Sequence, residues 1–192
     1  MWDNILQLAI LFFVIFDPPL SFTVFFAYAA NLPQKEKYRM ALAALLVAAM
    51  LSLVVLVFGQ RILSAFSINI DDFRIAGGII LAMLGVKMVW GQEIVPLSKK
   101  GDSGRAISAI IGTPLLAGPA AITAIILSAQ DFGMTATGAA ITIVLAITAI
   151  LFFVAANLNQ LKGTTAIQVL STLMGLITLA WGINFIRMGF GF

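Results

Sequence analysis

The sequence predicts an all-α polytopic membrane protein with six transmembrane helices. The chain is 61% hydrophobic and only 10% charged, and its mean hydropathy is +1.09. A soluble chain of 192 residues cannot bury that much apolar surface in one core. The sequence contains six long apolar segments joined by short polar connections, which indicates that the chain spans a lipid bilayer several times.

Each apolar segment is close to the roughly 20 residues that a membrane-spanning helix needs. The segments lie at about 4–31, 40–60, 72–91, 106–130, 133–157 and 166–187. Their connections are too short for a soluble domain, so residues 1–192 are predicted to form a single transmembrane domain. The opening "MWDN" lacks a basic region and the first apolar run is long, which favours a first span over a cleaved signal peptide.

The composition also excludes several functions. The chain contains no cysteine and no histidine, which removes thiolate metal sites, disulfides and the commonest catalytic base. We therefore expect no metal, no cofactor and no enzymatic activity. The formal charge of +3 is spread over the connections without a basic block, so we expect no nucleic-acid partner.

The distribution of lysine and arginine predicts the orientation in the membrane. One side of the six-span arrangement receives eight of these residues: Lys35, Lys37, Arg39, Lys87, Lys99, Lys100, Arg105 and Lys162. The other side receives Arg61, Arg74 and Arg187. The positive-inside rule then places loops 32–39, 92–105 and 158–165 in the cytoplasm, and both termini outside an inner or plasma membrane.

The two halves of the chain contain matching helix breakers. The first segment contains "FDPPLSFTVFF" and the fourth contains "AGPAAITAIIL". Aligning Pro18 with Pro119 therefore places a proline-containing break in the corresponding span of each half. The third and sixth segments carry glycine pairs with the same spacing of seven residues: Gly78 and Gly85, Gly175 and Gly182. This pattern predicts one three-helix unit that occurs twice.

A three-helix repeat must be inverted, because the second copy starts after an odd number of crossings. Repeat A covers about 4–91 and repeat B about 106–190, with discontinuous helices 1 and 4. In secondary transporters of this kind, substrate binds near the bilayer midplane where the broken helices meet. The interruptions, near 16–19 and 113–119, are therefore predicted to face each other.

Three segments resemble signature sequences of the MarC family, which includes the SnatA-type small neutral amino acid transporters. They are "FDPPLSFTVFF", "FRIAGGIILAMLGVKM" and "TPLLAGPAAIT". The resemblance covers essentially the whole chain and departs from the family pattern at Leu20, where glycine is usual. It implies an inner-membrane exporter of small neutral amino acids such as glycine or alanine, driven by a proton or sodium gradient.

The second break is predicted to bind a carboxylate. Pro114 and Pro119 each leave a backbone carbonyl without its helical donor. Pro119 suits the first position of a new half-helix with Gly118 as its cap, and glycine offers no side chain to the amides of Ala120 and Ala121. These amides lie at the positive end of a helix dipole, which favours an anion.

The first break supplies its own negative charge. Asp17 precedes Pro18 and Pro19, so it can cap the following half-helix by accepting from the amide of Leu20. It is the only carboxylate inside the predicted spans, and an intramembrane acid is costly enough to suggest a function. We expect Asp17 to attract the substrate ammonium and to be the candidate for the coupling ion. The alternative is that Asp17 only caps its own helix.

Other residues complete the predicted cavity and its support. The full set of predicted substrate-binding residues is Asp17, Pro18, Pro19, Ser21, Thr113, Pro114, Leu115, Leu116, Gly118, Pro119, Ala120, Ala121 and Thr123. The hydroxyl groups in this set can instead bond to their own helix. Helix packing is predicted for the glycines Gly77, Gly78, Gly85, Gly175 and Gly182. Arg74, beside Asp71 and Asp72, is predicted to form a surface ion pair or a gate element.

Several function classes compete for this architecture. The paired breaks and the repeat favour an alternating-access transporter. A channel would need a polar stripe along several spans, which the sequence lacks, and a structural subunit without transport is a further alternative. The chain has no G-x-x-x-x-G-K-[ST] phosphate loop, so transport would use an ion gradient or another chain. The expected partners are the bilayer, an amino acid, a proton or sodium ion and, in a homo-oligomer, a second copy of the chain.

Overall fold

The structure is a computed structural model that describes residues 2–29, 32–91, 118–158 and 164–191. The regular elements within these ranges are all α-helices. In chain order they are α1 (Trp2–Phe16), α2 (Pro18–Ala29), α3 (Gln34–Ala65), α4 (Ile70–Val89), α5 (Pro119–Phe132), α6 (Met134–Asn157) and α7 (Thr164–Gly189). The predicted all-helical membrane architecture is present in the described parts of the chain.

Four helical stretches in these parts are long and apolar enough to cross a membrane: Trp2–Ala29, Gln34–Ala65, Met134–Asn157 and Ala166–Gly189. The third predicted span corresponds to α4, whose 20 residues include charged groups in the first and last turns. The fourth corresponds in part to α5, a shorter apolar helix of 14 residues. The preceding half of that predicted span, 106–117, lies outside the described residues.

The first span is interrupted where the Asp-Pro-Pro sequence predicts a break. Helix α1 ends at Phe16 and α2 begins at Pro18. Asp17 lies between them with a positive φ of 41°, a left-handed conformation that few residues other than glycine, asparagine and aspartate adopt. The break follows from the prolines, because Pro18 disfavours α conformation in the residue before it and cannot donate a helical hydrogen bond.

Helix α5 starts abruptly at a proline. Its N-cap is Gly118, with φ −71° and ψ −177°, and Pro119 is its first residue. This extended backbone is the conformation expected of a residue before proline. At its other end, Gly133 has a φ of 84° and connects α5 to α6 across a single residue. The rest of the predicted second interruption, residues 113–117, lies outside the described residues.

Helices α4 and α7 approach each other at glycines. A Cβ built on Gly78 would lie 2.6 Å from the carbonyl oxygen of Gly182, and one built on Gly182 would lie 2.6 Å from that of Gly78. Gly85 and Gly175 form a second reciprocal pair, with corresponding distances of 2.6 and 3.1 Å. Residue numbers rise along α4 as they fall along α7, so the helices are antiparallel. Small residues allow such close backbone contact between membrane helices.

The interior of the bundle is mostly apolar. Phe25 of α2 stacks on Phe152 of α6 with ring centroids 4.8 Å apart, and both side chains are fully buried. In contrast, α3 exposes large apolar side chains on its outer face, among them Leu46, Met50 and Leu53. An apolar exterior around an apolar interior is the arrangement that a lipid environment favours.

Candidate functional site

Asp17 is a buried acid at the helix break, with 4% of its surface exposed. Its Oδ1 accepts a hydrogen bond from the backbone amide of Leu20 at 3.1 Å, which is the predicted capping contact. Its Oδ2 accepts a hydrogen bond from the hydroxyl of Ser171 at 2.7 Å. Asp17 is the only acidic residue that is buried in the described parts of the chain, and both of its carboxylate oxygens have a donor.

Ser171 is a member of the site that the sequence analysis missed. It lies on α7, it is buried, and 154 residues separate it from Asp17. The neighbouring Thr172 has a similar hydroxyl, but that group donates to the carbonyl of Gln168 in its own helix at 2.9 Å. No local pattern distinguishes Ser171 from Thr172, so only the packing of α7 against the break identifies it.

The predicted surroundings of Asp17 are partly different in the structure. The carboxylate expected to attract the substrate ammonium is bonded at Oδ2 to the hydroxyl of Ser171. Four of the predicted substrate-binding residues, Thr113, Pro114, Leu115 and Leu116, lie outside the described residues. Pro18 and Pro19 form the first turn of α2, directly after the carboxylate.

Of the hydroxyl groups predicted to line the cavity, Thr123 bonds within its own helix and Ser21 bonds across the break, while Thr113 lies outside the described residues. Thr123 donates to the carbonyl of Pro119 at 3.1 Å, and Thr23 makes the same contact to Pro19 at 2.8 Å. Ser21 donates to the carbonyl of Phe16 across the break, at a longer 3.4 Å. These contacts agree with the structural alternative for serine and threonine in membrane helices. In both α2 and α5, a threonine hydroxyl donates to the carbonyl of a proline four residues earlier.

The start of α5 presents backbone amides without a side-chain cap. The first helical hydrogen bond of α5 runs from the amide of Ile122 to the carbonyl of Gly118, at 3.0 Å. The amides of Ala120 and Ala121 therefore precede the helical ladder, and both residues are buried. Since Gly118 has no side chain, these donors lie at the positive end of α5 in a form suited to an anion.

Helix α5 is held against α4 close to this start. A Cβ built on Gly77 would lie 2.9 Å from the Cβ of Thr123 and 3.0 Å from its hydroxyl oxygen. Gly77 therefore packs against α5, whereas the other four predicted packing glycines lie between α4 and α7. The position of α5 depends on this contact, because any larger residue at 77 would displace Thr123.

Arg74 forms a buried ion pair that differs from the expected surface pair. Its guanidinium pairs with Asp131 at the end of α5, and its side chain is only 10% exposed. Its Nε lies 3.9 Å from the carboxylate of Asp71, whose side chain is 57% exposed. Nη1 also lies 3.8 Å from the sulfur of Met188. Arg74, which lies on α4, thus contacts Asp131 on α5 and Met188 on α7.

A cluster of uncharged polar side chains joins the start of α3 to the end of α6. Tyr38 and Gln34 of α3 both donate to the side-chain oxygen of Asn157 on α6, at 2.8 and 3.1 Å. The ring of Tyr38 also lies 5.8 Å from that of Phe153. The bundle therefore has an ionic contact between α4 and α5 and a neutral one between α3 and α6.

Comparison of the sequence with known proteins identifies a family. Residues 2–191 match the family model described as MarC family integral membrane protein. The chain is 33% identical over 186 residues to the UPF0056 membrane protein MJ1677 of Methanocaldococcus jannaschii, covering 92% of this chain and 91% of that protein. It is 28% identical over 193 residues to the UPF0056 inner membrane protein MarC of Escherichia coli, covering 90% and 87%. No solved structure gives a significant match.

Proposed function

Because the chain belongs to the MarC family of integral membrane proteins, we propose that it is a secondary transporter of small neutral amino acids such as glycine or alanine. The observation that carries the proposal is the buried carboxylate of Asp17 at a helix break. A buried intramembrane acid is energetically costly, and in membrane proteins it commonly marks a substrate or ion pathway. The relative from Escherichia coli is named an inner membrane protein, which supports the same location here.

A zwitterion matches the chemistry of the two breaks. Asp17 supplies a negative charge for an ammonium group, and the amides of Ala120 and Ala121 supply donors for a carboxylate at a helix N-terminus. Both half-helices begin at a proline, α2 at Pro18 and α5 at Pro119. In transporters with discontinuous helices, half-helix N-termini bind the anionic group of the substrate. The same arrangement is proposed for this chain, with the two breaks facing each other.

The residues at both breaks favour a small substrate. Ala120, Ala121 and Ala124 in the first turns of α5 are buried and have only methyl side chains, which suits close approach of a small ligand to the backbone. Phe16 and Phe22, on either side of the first break, are also buried and would restrict a long side chain. A ligand with little more than its ammonium, carboxylate and a methyl group meets these limits.

The glycine contacts between α4 and α7 support the proposed inverted repeat. Gly78 and Gly85 of repeat A meet Gly182 and Gly175 of repeat B in reciprocal pairs. In the repeat alignment Gly78 corresponds to Gly175 and Gly85 to Gly182, so the same two positions meet twice with their roles exchanged, as a two-fold axis requires. Alternating access around such an axis would expose the site to each side of the membrane in turn, with both termini outside.

The energy for transport is proposed to come from a proton or sodium gradient. The sequence contains no phosphate-binding loop for a nucleotide, and Asp17 is the candidate for an ion-binding group. Export is the direction that the family resemblance implies. Gradients rather than individual residues determine that direction.

Counterflow in proteoliposomes tests the proposal. Vesicles containing the purified protein and excess unlabelled glycine are diluted into labelled glycine, and protein-free vesicles are the control. A transporter accumulates label transiently above equilibrium, because exchange through one alternating site is obligatory. A small-solute channel gives equilibration without overshoot, and a structural subunit gives the same signal as empty vesicles. Repeating the assay with an imposed pH or sodium gradient identifies the coupling ion.

A further inference from the structure

The contact between Ser171 and Asp17 links the second half of the chain to the first break. Ser171 donates from α7 to Oδ2 of Asp17 at 2.7 Å, and both residues are buried. The other oxygen, Oδ1, is engaged by the amide of Leu20 within the break itself. Oδ2 is therefore the carboxylate oxygen that can change partner without disrupting the cap of α2.

We propose that Ser171 is a positioning residue that holds Asp17 in the empty site and is displaced from Oδ2 by the substrate ammonium. This inference rests on the proposed function. The hydroxyl of Ser171 keeps the buried carboxylate paired while no substrate is present, which avoids the cost of an unpaired buried charge. Substrate binding then exchanges a neutral donor for a cationic one.

The exchange is favourable because of the charges involved. The hydrogen bond from Ser171 is already charge-assisted on its acceptor side, and an ammonium donor adds the attraction between opposite charges. The bond that the ammonium replaces at Asp17 has a neutral donor, the hydroxyl of Ser171. Part of the binding free energy is nevertheless consumed in breaking it, so Ser171 lowers the apparent affinity of the site.

The displaced hydroxyl has another acceptor within its own helix. Serine and threonine in helices commonly donate to the carbonyl four residues earlier, and on α7 both Thr172 and Thr178 do so, at 2.9 Å each. The equivalent acceptor for Ser171 is the carbonyl of Ile167. Release from Asp17 therefore does not leave a buried hydroxyl without a partner.

Release of Ser171 also changes what α7 is attached to. Helix α7 is packed tightly on α4 through the pairs Gly78–Gly182 and Gly85–Gly175, and α4 contacts α5 through Arg74. Breaking the bond to Asp17 removes the hydrogen bond between α7 and the first break, while the apolar packing of Met174 with Val14 and the contacts to α4 persist. In this proposal the hydrogen bond from α7 to the first break is therefore present only when the ammonium is not bound to Asp17.

Equilibrium binding of glycine to the detergent-purified protein tests this inference. Ser171→Ala is expected to bind glycine about three- to tenfold more tightly than wild type, because the ammonium no longer competes with a hydroxyl. Thr172→Ala is the matched control, since it removes the neighbouring hydroxyl that bonds only within α7. Ser171→Cys keeps a side chain of similar size with a weak donor and should shift affinity in the same direction if the alanine variant folds poorly.

The inference also predicts how the substitution depends on Asp17. In an Asp17→Asn background, Ser171→Ala should give no gain in affinity, because the competition for a carboxylate is gone. Equal or weaker binding by both Ser171 variants, with wild type binding glycine normally, would overturn the role of Ser171 and leave the transport proposal intact. No binding of glycine or alanine by wild type at millimolar concentration would overturn the proposed function and this inference together.

Discussion

Gly78 of α4 and Gly182 of α7 lie so close that a Cβ on either residue would be 2.6 Å from the carbonyl oxygen of the other. No side chain fits between these two backbones. The two helices come from different halves of the chain, so the two halves pack against each other at this contact and at the Gly85–Gly175 pair. The fold at this interface therefore depends on the absence of side chains rather than on specific polar contacts.

Substitution of Gly182 by alanine tests this dependence. A Cβ at 182 would also lie 2.5 Å from the amide nitrogen of Ala82, so the helices must separate and lose packing, at a cost of about 1–3 kcal/mol. Gly138→Ala is the matched control, because its nearest neighbour would be the flexible end of Leu56 at 3.2 Å. We expect a lower unfolding temperature for Gly182→Ala, and an equal or higher one for Gly138→Ala because alanine favours a helix. Equal effects at the two positions would mean that the interface tolerates side chains.

The Arg74–Asp131 pair should contribute more to stability than the Arg74–Asp71 contact. Asp131→Ala leaves a largely buried guanidinium without its main partner, and the expected loss is about 1–3 kcal/mol. Asp71→Ala removes an exposed carboxylate 3.9 Å from Nε and should change stability by less than about 0.5 kcal/mol. Thermal unfolding of both variants in the same detergent gives the comparison. A larger loss for Asp71→Ala would contradict the assignment of Asp131 as the main partner.

Gly118 offers a test that separates stability from binding. Its φ of −71° and ψ of −177° are accessible to any residue, so substitution there introduces no backbone strain. Gly118→Ser should cap α5 by accepting from the amides of Ala120 or Ala121, which leaves stability equal or raises it by about 1 kcal/mol. The same cap occupies the proposed carboxylate donors and should weaken glycine binding.

A branched side chain at the same position extends this test. Gly118→Val should insert into the membrane normally but lose transport, because its methyl groups would fill the space in front of the same amides. Counterflow and membrane insertion are measured in parallel, with Gly138→Val as a control at a site away from the breaks. Normal glycine uptake by a well-folded Gly118→Val protein would exclude a carboxylate site at this helix start.

Local chemistry explains how much of the fold could be predicted from the sequence. Proline alters the backbone at its own position and at the residue before it, so the break at Asp17 and the start of α5 at Pro119 were predictable without any tertiary information. The cap from Asp17 to Leu20 is also a local contact, three residues apart. Glycines at a fixed spacing in two apolar segments likewise pointed to close packing.

The contacts that escaped prediction are those between distant parts of the chain. Ser171 and Asp17 are 154 residues apart, and Arg74 and Asp131 are 57 apart. The charge pattern around Arg74 favoured its sequence neighbour Asp71, because sequence spacing shows only partners on the same helix. Which residue of another helix reaches a given position depends on crossing geometry, and a single sequence does not specify it.

The central claim is that the charge of Asp17 binds the substrate ammonium, and Asp17→Asn tests it without disturbing the break. Asparagine tolerates the left-handed backbone found at this position, and it caps helices about as well as aspartate. The charge is removed while the cap from Oδ1 to Leu20 is kept, and the amide NH2 that replaces Oδ2 can donate to the Ser171 hydroxyl. Asp3→Asn, which neutralises an acid at the exposed start of α1, is the control.

The deciding measurement is the dissociation constant for glycine of the wild type, Asp17→Asn and Asp3→Asn proteins under identical conditions. A charge-assisted contact is worth about 1.5–3 kcal/mol, so the account predicts that Asp17→Asn binds glycine at least about tenfold more weakly. Asp3→Asn should bind as wild type does. An unchanged dissociation constant for a folded Asp17→Asn protein would contradict the account and reduce Asp17 to the cap of α2.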